Sequence, residues 1–508
     1  MSITFDNALK VNIKSQKTTT TNGAIAYASH GGDHGALLDL NFSVTELRAC
    51  SDTYPIIRKF QNAFYEDKEL ALRWLGYAMD IRQGLGERNI SKKIISWLIE
   101  THTDIARGLI KLIPEYNRWD MLFIYMGTIL ESEMLNVVYV QLTEDLDNYY
   151  KNEHNKLSLL AKWMPSINCH SKKRKLIAKK ICKNIGVSEK EYRSKLAKLR
   201  RALHVVECDI SANRWDKIDY TSVPSKANIK YKSAFMWHDT KRRMEFINRV
   251  NSGEEKINST VNTPYDIVKA YSNNSSNNVD ATLEELWKAL PNYDVHNSET
   301  LTVIDTSGSM GWGFACKPKH VAFSVGIYFS ERSNGQFSNK AITFSKSPKY
   351  IDFSNMNSLH EKLRYLKTHT INENTDIEAV FDLILDTAKK FNLAQHELPK
   401  RLLIISDMQF DAASTMNECE CKTLFETIAD KYTVAGYEMP KLVFWNVNAS
   451  PYGSTIPLQS NGNGLITVSG FSPTIMKMVL SNKLDPFEAL ADILMTERYS
   501  PFLRCLKS

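Results

Sequence analysis

The spacing of the apolar residues changes near residue 300, and this change constrains the fold more than any other feature of the chain. Before it, apolar residues recur every three or four positions, as in Tyr192, Leu196, Leu199 and Leu203, which is the spacing of one helix face. After it, short apolar runs alternate with helical patterns, which predicts a parallel or mostly parallel sheet with helices on both faces. The predicted strands are 301–305, 341–344, 402–406, 442–447 and 465–468, and the predicted helices are 318–331, 376–391, 421–432, 472–480 and 485–495.

This change predicts two domains and an arm. Residues 1–35 are polar and rich in hydroxyl groups, so we expect a flexible arm or an extended segment lying on another part of the fold. Residues 36–280 predict an all-α domain of helical repeats or a bundle, and residues 281–508 predict an α/β domain. A Ser/Asn-rich stretch near 272–278 is typical of a linker. One four-residue sequence, Asn117–Asp120, recurs at Asn213–Asp216 and indicates equivalent turns in stacked helical units.

The composition is that of a soluble globular protein, with 43% apolar and 24% charged residues. The sequence begins without a basic segment followed by an apolar one, and no apolar run reaches the length needed to cross a bilayer. The eight cysteines lack the spacing of a zinc site, so free thiols in a reducing compartment are expected. We therefore expect a cytoplasmic protein, or one acting inside a cell, of cellular or viral origin and without a membrane partner.

Positive charge is concentrated in one part of the helical region. Residues 155–250 contain 24 basic and 8 acidic side chains, whereas residues 281–508 contain 22 basic and 25 acidic ones. Such a field attracts polyanions, and interleaved aromatic residues such as Trp163 and Trp237 suit base stacking. The alternative is a solvated cationic helix face whose aromatic residues form the core. The predicted nucleic-acid contacts are Lys172, Lys173, Arg174, Lys175, Lys179, Lys180, Arg200, Arg201, Lys241, Arg242 and Arg243.

Acidic and hydroxyl residues follow two of the predicted strands. Asp305 ends the first, with Ser307 and Ser309 just after it, Asp407 follows the strand 402–406, and Thr375 precedes a predicted helix. Because ligand sites in parallel sheets lie beyond the carboxyl ends of the strands, we expect these oxygens to bind one Mg²⁺, or another divalent cation such as Mn²⁺ or Ca²⁺. The two serines and Thr375 would be direct ligands, and the two aspartates direct ligands or ligands through water.

Other roles remain open for the acidic residues near this motif. Asp and Ser after a strand also cap helices. We expect Asp376 to be an acid at a helix N-terminus rather than a partner of the metal ligands, and Asp411 either strengthens cation binding or faces solvent. A nuclease would need carboxylates shared between two metal ions, whereas hydroxyls suit one ion, so we expect no enzymatic activity. The glycines of the segment 82–88 resemble a phosphate loop but lack its preceding strand and its Gly-Lys-Ser/Thr ending, which favours a turn between helices.

Several segments together resemble one family, domain of unknown function 2828, over residues 36–505. These segments are 80–88, 116–120, 158–166 with 171–173, 199–207, 303–310 and 405–411. The layout is similar to that of the Ro autoantigen (TROVE) proteins, in which a HEAT-like helical module that binds small structured and single-stranded RNA precedes a von Willebrand factor A domain. The three loops with Asp305, Thr375 and Asp407 resemble the metal-ion-dependent adhesion site of that domain.

The resemblance implies a fold and a function. It implies an N-terminal all-α HEAT-like helical-repeat domain followed by a C-terminal α/β, Rossmann-like von Willebrand factor A domain. It implies a non-enzymatic RNA-binding protein whose metal site captures an acidic residue of a protein partner. The alternative is a protein–protein scaffold or adaptor, or a viral structural component, whose metal site binds such a residue.

Overall fold

The computed structural model describes residues 17–19, 25–27, 30, 34–49, 51–273, 278–292, 299–311, 318–344, 347–368, 376–408, 424–447, 465–469 and 485–506. The chain forms two compact units. The sheet unit combines the residues up to Lys68 with Asn262–Ile493, and the helical unit combines Glu69–Val261 with the segment from Leu494 onward.

The α-helices before the main sheet are divided between the two units. They are α1 (Gly35–Phe42), α2 (Val44–Ala49), α3 (Tyr54–Glu66), α4 (Lys68–Met79), α5 (Arg88–Thr101), α6 (Thr103–Tyr116), α7 (Glu131–Tyr150), α8 (Leu160–Trp163), α9 (Lys172–Asn184), α10 (Glu189–Ala202), α11 (Val206–Ser211), α12 (Ser225–Lys230), α13 (Lys232–His238), α14 (Thr240–Asn251), α15 (Pro264–Ser272) and α16 (Ala281–Lys288). Short 3-10 helices span Trp119–Tyr125, His154–Lys156 and Trp215–Lys217.

The starts of several helices follow from their sequences. The Ser188 hydroxyl accepts a hydrogen bond from the Glu191 backbone N–H, 3.2 Å away, at the start of α10. Thr263 and Asp266 form a capping box at the start of α15, with Pro264 in its first turn. The predicted apolar stripe of α10 is buried at Tyr192, Leu196 and Leu199, so the periodicity identified the correct face of this helix.

The glycine-containing segment after α4 is a turn between two helices, as predicted. It joins the end of α4 at Met79 to the start of α5 at Arg88. Gly86 has a φ of +68°, and a Cβ on Gly84 would lie 2.0 Å from the carbonyl oxygen of Tyr77. The glycines are therefore required by the tight turn. In the repeated Asn-Arg-Trp-Asp sequence, Trp119 and Trp215 each begin a 3-10 helix, but Trp119 is buried and Trp215 is half-buried.

A 3-10 helix over Glu497–Leu506 completes the helical unit. Its Phe502 is buried against Gly76 of α4, where a Cβ would lie 2.5 Å from the Phe502 ring. Arg498 forms an ion pair with the fully buried Asp80, and Tyr116 donates a hydrogen bond to the Arg498 carbonyl oxygen. This segment thus supplies both apolar packing and the partner of a buried charge.

The sheet unit is built on a mixed six-stranded sheet. Its strands are β3 (Thr300–Asp305), β4 (Lys340–Phe344), β5 (Lys349–Asp352), β6 (Arg401–Ser406), β7 (Lys441–Asn446) and β8 (Leu465–Ser469), in the spatial order β5-β4-β3-β6-β7-β8. Only the β4–β5 pair is antiparallel among these described strands, so the mostly parallel sheet is confirmed. Separately, β1 (Lys17–Thr19) and β2 (Ile25–Tyr27) pair antiparallel within the predicted arm.

Helices cover both faces of this sheet. The helices of this part of the chain are α17 (Pro318–Arg332), α18 (Leu359–Thr368), α19 (Glu378–Phe391), α20 (Leu424–Val434) and α21 (Pro486–Leu494), with 3-10 turns at Ser309–Gly311, Gly335–Phe337 and Gln395–Glu397. Val303 and Ile404 share a core with α19 and α20. On the opposite face α17 approaches so closely that a Cβ on Gly326 would lie 2.5 Å from the Ile304 side chain. The predicted helix 472–480 lies outside the described residues.

The compact units do not coincide with the predicted domain boundaries. Residues 36–68 and 262–280 belong to the sheet unit, and the last part of the chain belongs to the helical unit. Phe42 joins the core beside β7, and the Thr45 backbone N–H donates to the Ser469 hydroxyl, 3.1 Å away. Periodicity identifies a helix and its apolar face, but not the element that covers this face. No helix among the described residues has both the length and the apolar character needed to cross a membrane.

Candidate metal centre and cationic surface

The strand register brings Asp305 and Ser406 together at the carboxyl edge of the sheet. Strands β3 and β6 are parallel neighbours, and Ile304 pairs with Ile405. The next residues, Asp305 and Ser406, are the last of their strands and therefore lie side by side at the edge of the sheet. One Asp305 carboxylate oxygen, Oδ2, accepts a hydrogen bond from the Ser406 hydroxyl at 2.6 Å. The other, Oδ1, accepts one from the Ser307 backbone N–H at 2.9 Å.

Two carboxylates are buried at this edge. Asp305 is 0% exposed and Asp407 is 5% exposed. Burial, and next the negative charge of Asp407, raise the pKa of Asp305 above its ordinary value, although hydrogen bonds from Ser307 and Ser406 act in the opposite direction. Two carboxylates and neighbouring hydroxyls form an oxygen-rich donor set that a divalent cation would neutralise. The residues therefore fit the predicted kind of ion.

The backbone after each strand turns sharply. Met408 has a φ of +64°, which is uncommon for a residue other than glycine, and its N–H donates to the Ser406 hydroxyl at 3.0 Å. After β3, the chain enters the 3-10 helix that begins at Ser309. These turns hold Asp305, Ser307 and Asp407 at one edge of the sheet.

The structure describes some of the predicted metal-site residues and not others. Asp305 interacts with both Ser307 and Asp407. Thr375, Asp411 and the side chain of Ser309 lie outside the described part of the chain. Asp376 accepts a hydrogen bond from the Ala379 backbone N–H at 3.0 Å, so its predicted place at a helix N-terminus is confirmed. The described residues contain no group of three or more His, Cys, Asp and Glu side chains suited to a metal; the predicted donor set has two carboxylates and relies on hydroxyls for the rest.

Sequence reasoning missed the role of Ser406. Its hydroxyl donates to Asp305 and accepts from the Met408 N–H, so it orients a carboxylate and the following loop together. The signal was available in the alignment of the two predicted strands, because matching their apolar runs places Ser406 directly beside Asp305. The predicted ligand set took Asp407 from this strand end and omitted Ser406.

Part of the predicted cationic surface is exposed. Lys172, Lys173, Arg174 and Lys175 occupy the first turn of α9, and all four side chains are exposed. We call these four residues the lysine surface. Arg201 at the end of α10 and Lys241 at the start of α14 are exposed as well.

Two predicted contacts on α9 form ion pairs within the helical unit. Lys180 lies 2.7 Å from a carboxylate oxygen of Glu131, and Lys179 lies 3.3 Å from one of Glu189. Each lysine side chain keeps roughly half of its exposure. Pairing reduces the net charge that this part of α9 presents to a polyanion.

Three of the predicted contacts are arginines that bond within the helical unit, and the prediction is corrected for the buried one, Arg243. Arg243 is 0% exposed and lies over the rings of Tyr220, Phe235 and Phe246. Arg200 donates to the carbonyl oxygens of Ala161 and Met164 and to the Ser166 hydroxyl, all within 2.8 Å. Arg242 donates to the carbonyl oxygens of Trp215 and Ile218 and to Asp239. The buried Arg243 guanidinium is therefore not offered to a ligand, whereas the Arg242 side chain remains 41% exposed beside its acceptors.

The comparisons with known proteins identify the family. The model of DUF2828, a domain of unknown function, matches residues 136–290. An uncharacterized protein of Acanthamoeba polyphaga mimivirus is 31% identical over 516 residues, which cover 94% of this chain and 86% of that protein. The chain belongs to the DUF2828 family.

The extent of the family match differs from the predicted resemblance. Residues 299–497 match a second family model, DUF7788, also a domain of unknown function. The DUF2828 model therefore accounts for part of the span 36–505 and the DUF7788 model for most of the sheet-forming part. The crystal structure of the Ro (RSR) protein of Deinococcus radiodurans matches with a TM-score of 0.38 and 13% identity, over 90% of this chain and 93% of that one.

Proposed function

We propose that this protein is a non-enzymatic RNA-binding protein that also holds one divalent cation. The helical unit, a HEAT-like array in this proposal, contacts RNA through the lysine surface. The observation that carries this half is the exposure of four consecutive basic side chains in the first turn of α9. They form a cationic patch that attracts a phosphate backbone.

In the same proposal, the sheet unit is a von Willebrand factor A-like domain that binds Mg²⁺, with Mn²⁺ or Ca²⁺ as substitutes. Asp305, Ser307 and Asp407 would hold the ion together with Ser309 and Thr375. The support is the pair of buried carboxylates with adjacent hydroxyl groups at the carboxyl edge of the sheet. A bound ion would leave a position for an acidic side chain of a protein partner.

The RNA half is tested by the salt dependence of binding. We expect the affinity for single-stranded RNA to fall steeply with salt, by about 0.7 log units per log unit of salt for each phosphate contacted. Changing Lys172, Lys173, Arg174 and Lys175 to Gln should reduce this slope by about 3. The measurement is fluorescence anisotropy of a labelled RNA at several salt concentrations.

A matched control separates a local contact from the effect of net charge. Changing Arg364, Lys367, Lys389 and Lys390 to Gln removes the same charge from exposed positions of the sheet unit and should leave the slope unchanged. Equal losses in both variants would remove the lysine surface from the proposal.

The scaffold alternative is tested by purifying the protein from its native cell. If it carries an acidic protein and no RNA, the scaffold alternative replaces the RNA-binding proposal.

The metal half is tested with Mn²⁺, which reports on the ion directly. The intact protein should bind one Mn²⁺ that Mg²⁺ displaces, as followed by electron paramagnetic resonance. Ser307→Ala should weaken this binding about tenfold, because one oxygen ligand is lost, while Ser338→Ala in a loop of the same unit should not. Unchanged Mn²⁺ binding in Ser307→Ala would contradict the assignment.

A further inference from the structure

The helical unit contains a groove that the proposed RNA surface does not use. Its volume is about 750 Å³, and it lies beside the end of α6, the middle of α7 and the segment leading into α8. Apolar side chains such as Pro114, Val140 and Leu159 form much of its wall, and Arg82, Lys111 and Arg118 contribute positive charge. This volume and this mixture are typical of small-molecule sites.

One wall of the groove is an arginine stacked on an aromatic ring. The Arg118 guanidinium carbon lies 3.6 Å from the centroid of the Trp163 ring. Asp120 fixes this guanidinium, since Arg118 Nε lies 3.0 Å from one of its oxygens and a second Arg118 nitrogen bonds the other. Both planar groups line the groove, so they offer a prepared surface for another planar ring.

An excess of positive charge surrounds Asp120 at the Arg118 end of the groove. Arg88 also pairs with Asp120, at 3.3 Å. Burial lowers the pKa of Lys92, and so do the nearby positive charges of Arg88, Arg118 and Lys173. Three basic side chains, Arg88, Lys92 and Arg118, lie around this one carboxylate, so the cluster has an excess of about two positive charges. Such a cluster attracts a multiply charged anion.

We propose that this groove binds a nucleotide, with the base against the Arg118–Trp163 stack and the phosphates toward Arg88 and Lys92. A nucleotide fits because it has both a planar base and negative charge. The planar stacking surface would be unused by a simple anion, and the cationic cluster would be unused by an apolar ring. The nucleotide could be free or could be the unpaired nucleotide of an RNA strand. The inference goes beyond the proposed function, because binding of a free nucleotide requires neither the lysine surface nor the metal site.

The test is calorimetric titration of the full-length protein with ATP in the presence of EDTA, which keeps the metal site out of the measurement. Lys92→Met and Trp163→Leu should each weaken ATP binding about tenfold or more, through loss of a charge-assisted contact and of stacking. The matched controls are Lys183→Met, at the far end of α9, and Trp237→Leu, whose ring is 83% exposed. Both controls should stay within about twofold of the unaltered protein.

Separate ligands distinguish the parts of the proposal. Adenosine and inorganic triphosphate should each bind more weakly than ATP, and a short oligoadenylate that binds more tightly than ATP with the same variant dependence would identify an RNA strand as the source. Lack of binding by both ATP and oligoadenylate, or equal effects of Lys92→Met and Lys183→Met, would overturn the proposal.

Circular dichroism checks the fold of Trp163→Leu. Because Lys92 is only half-buried, its variant keeps the test decisive if the tryptophan variant unfolds.

Discussion

At the scale of single residues, burial decides what a charged side chain can do. Asp305 and Lys172 are both charged residues in notable motifs, but Asp305 is fully buried beside a second carboxylate and Lys172 is exposed on a helix. A buried carboxylate needs a compensating partner, whereas an exposed lysine is solvated. On α14, Arg243 is likewise buried, whereas Lys241 is exposed.

The first prediction concerns Asp305. Asp305→Asn should raise the free energy of unfolding of the metal-free protein by about 1–3 kcal/mol, because it removes a buried charge that Asp407 repels. It should also abolish the stabilisation that Mg²⁺ gives the unaltered protein. Thermal unfolding in EDTA and in Mg²⁺ measures both effects. An Asn variant less stable than the unaltered protein in EDTA would show that the carboxylate is already compensated.

The second prediction concerns Arg243. Arg243→Ala should lower the free energy of unfolding by about 2–4 kcal/mol, since the variant leaves a cavity among Tyr220, Phe235 and Phe246. Lys241→Ala on the same helix should change it by less than about 0.5 kcal/mol. Urea titrations of the two variants provide the comparison, and similar values for both would show that Arg243 is not a core residue.

The eleven predicted RNA contacts show what sequence can and cannot supply at this scale. Sequence gives the charge of Arg200 and Arg243 and their places in helical patterns. It does not show that the α8 carbonyl groups need the Arg200 guanidinium or that three aromatic rings surround Arg243. Most of those partners, such as Ala161 and Tyr220, lie on other segments of the chain, so their contacts with the arginines appear only in the folded unit.

At the scale of elements, the strands that carry the metal motif are the ones that sequence predicts best. Strands β3 and β6 are buried almost throughout, and each carries a short apolar run, Val303–Ile304 and Leu402–Ile405, that predicts a buried strand. Strand β5 and helix α18 escaped prediction. In β5 only Ile351 is buried among its four residues, and such an edge strand has no alternating pattern long enough to recognise.

The third prediction concerns the contact between α17 and β3. Gly326→Ala should lower the free energy of unfolding by about 1–3 kcal/mol, because the new methyl group overlaps the Ile304 side chain. Since Ile304 precedes Asp305, the displacement should also weaken Mn²⁺ binding. Gly311→Ala is the control, because a Cβ there meets no atom within 4 Å. Full stability with normal Mn²⁺ binding in Gly326→Ala would show that the strand end tolerates this displacement.

At the scale of the whole molecule, the chain contributes to its two units in alternation. The first described helices belong to the sheet unit, residues 69–261 form most of the helical unit, and the segment from 494 returns to the helical unit after the sheet is complete. Domain boundaries placed where the spacing of apolar residues changes cannot show this arrangement. That spacing predicts local secondary structure, but not which elements pack together.

The fourth prediction concerns this returning segment. Residues 69–261 expressed alone should be much less stable than residues 69–261 joined by a flexible linker to 494–506. The fused form regains Phe502 in the core and Arg498 beside Asp80, and an unpaired buried charge alone costs about 3–5 kcal/mol. Circular dichroism and thermal unfolding compare the two forms. Equal stability would show that the segment only rests on the helices.

A substitution in the fused form separates the contribution of Arg498 from that of Phe502. Arg498→Met within the fused form should lose much of the regained stability, whereas Arg504→Met, which is exposed on the same 3-10 helix, should lose little. If both substitutions have the same small effect, the apolar contacts of Phe502 account for the whole stabilisation.

The late position of the segment 494–506 has a consequence for biosynthesis. A ribosome that has completed residue 261 must add more than two hundred further residues before Arg498 emerges, which takes about 10–50 s at ordinary elongation rates. Throughout that interval the nascent helices carry Asp80 without its arginine and leave uncovered the apolar surface that Phe502 later occupies. Cotranslational chaperones would therefore meet this chain as a client with its final stabilising contact still unmade.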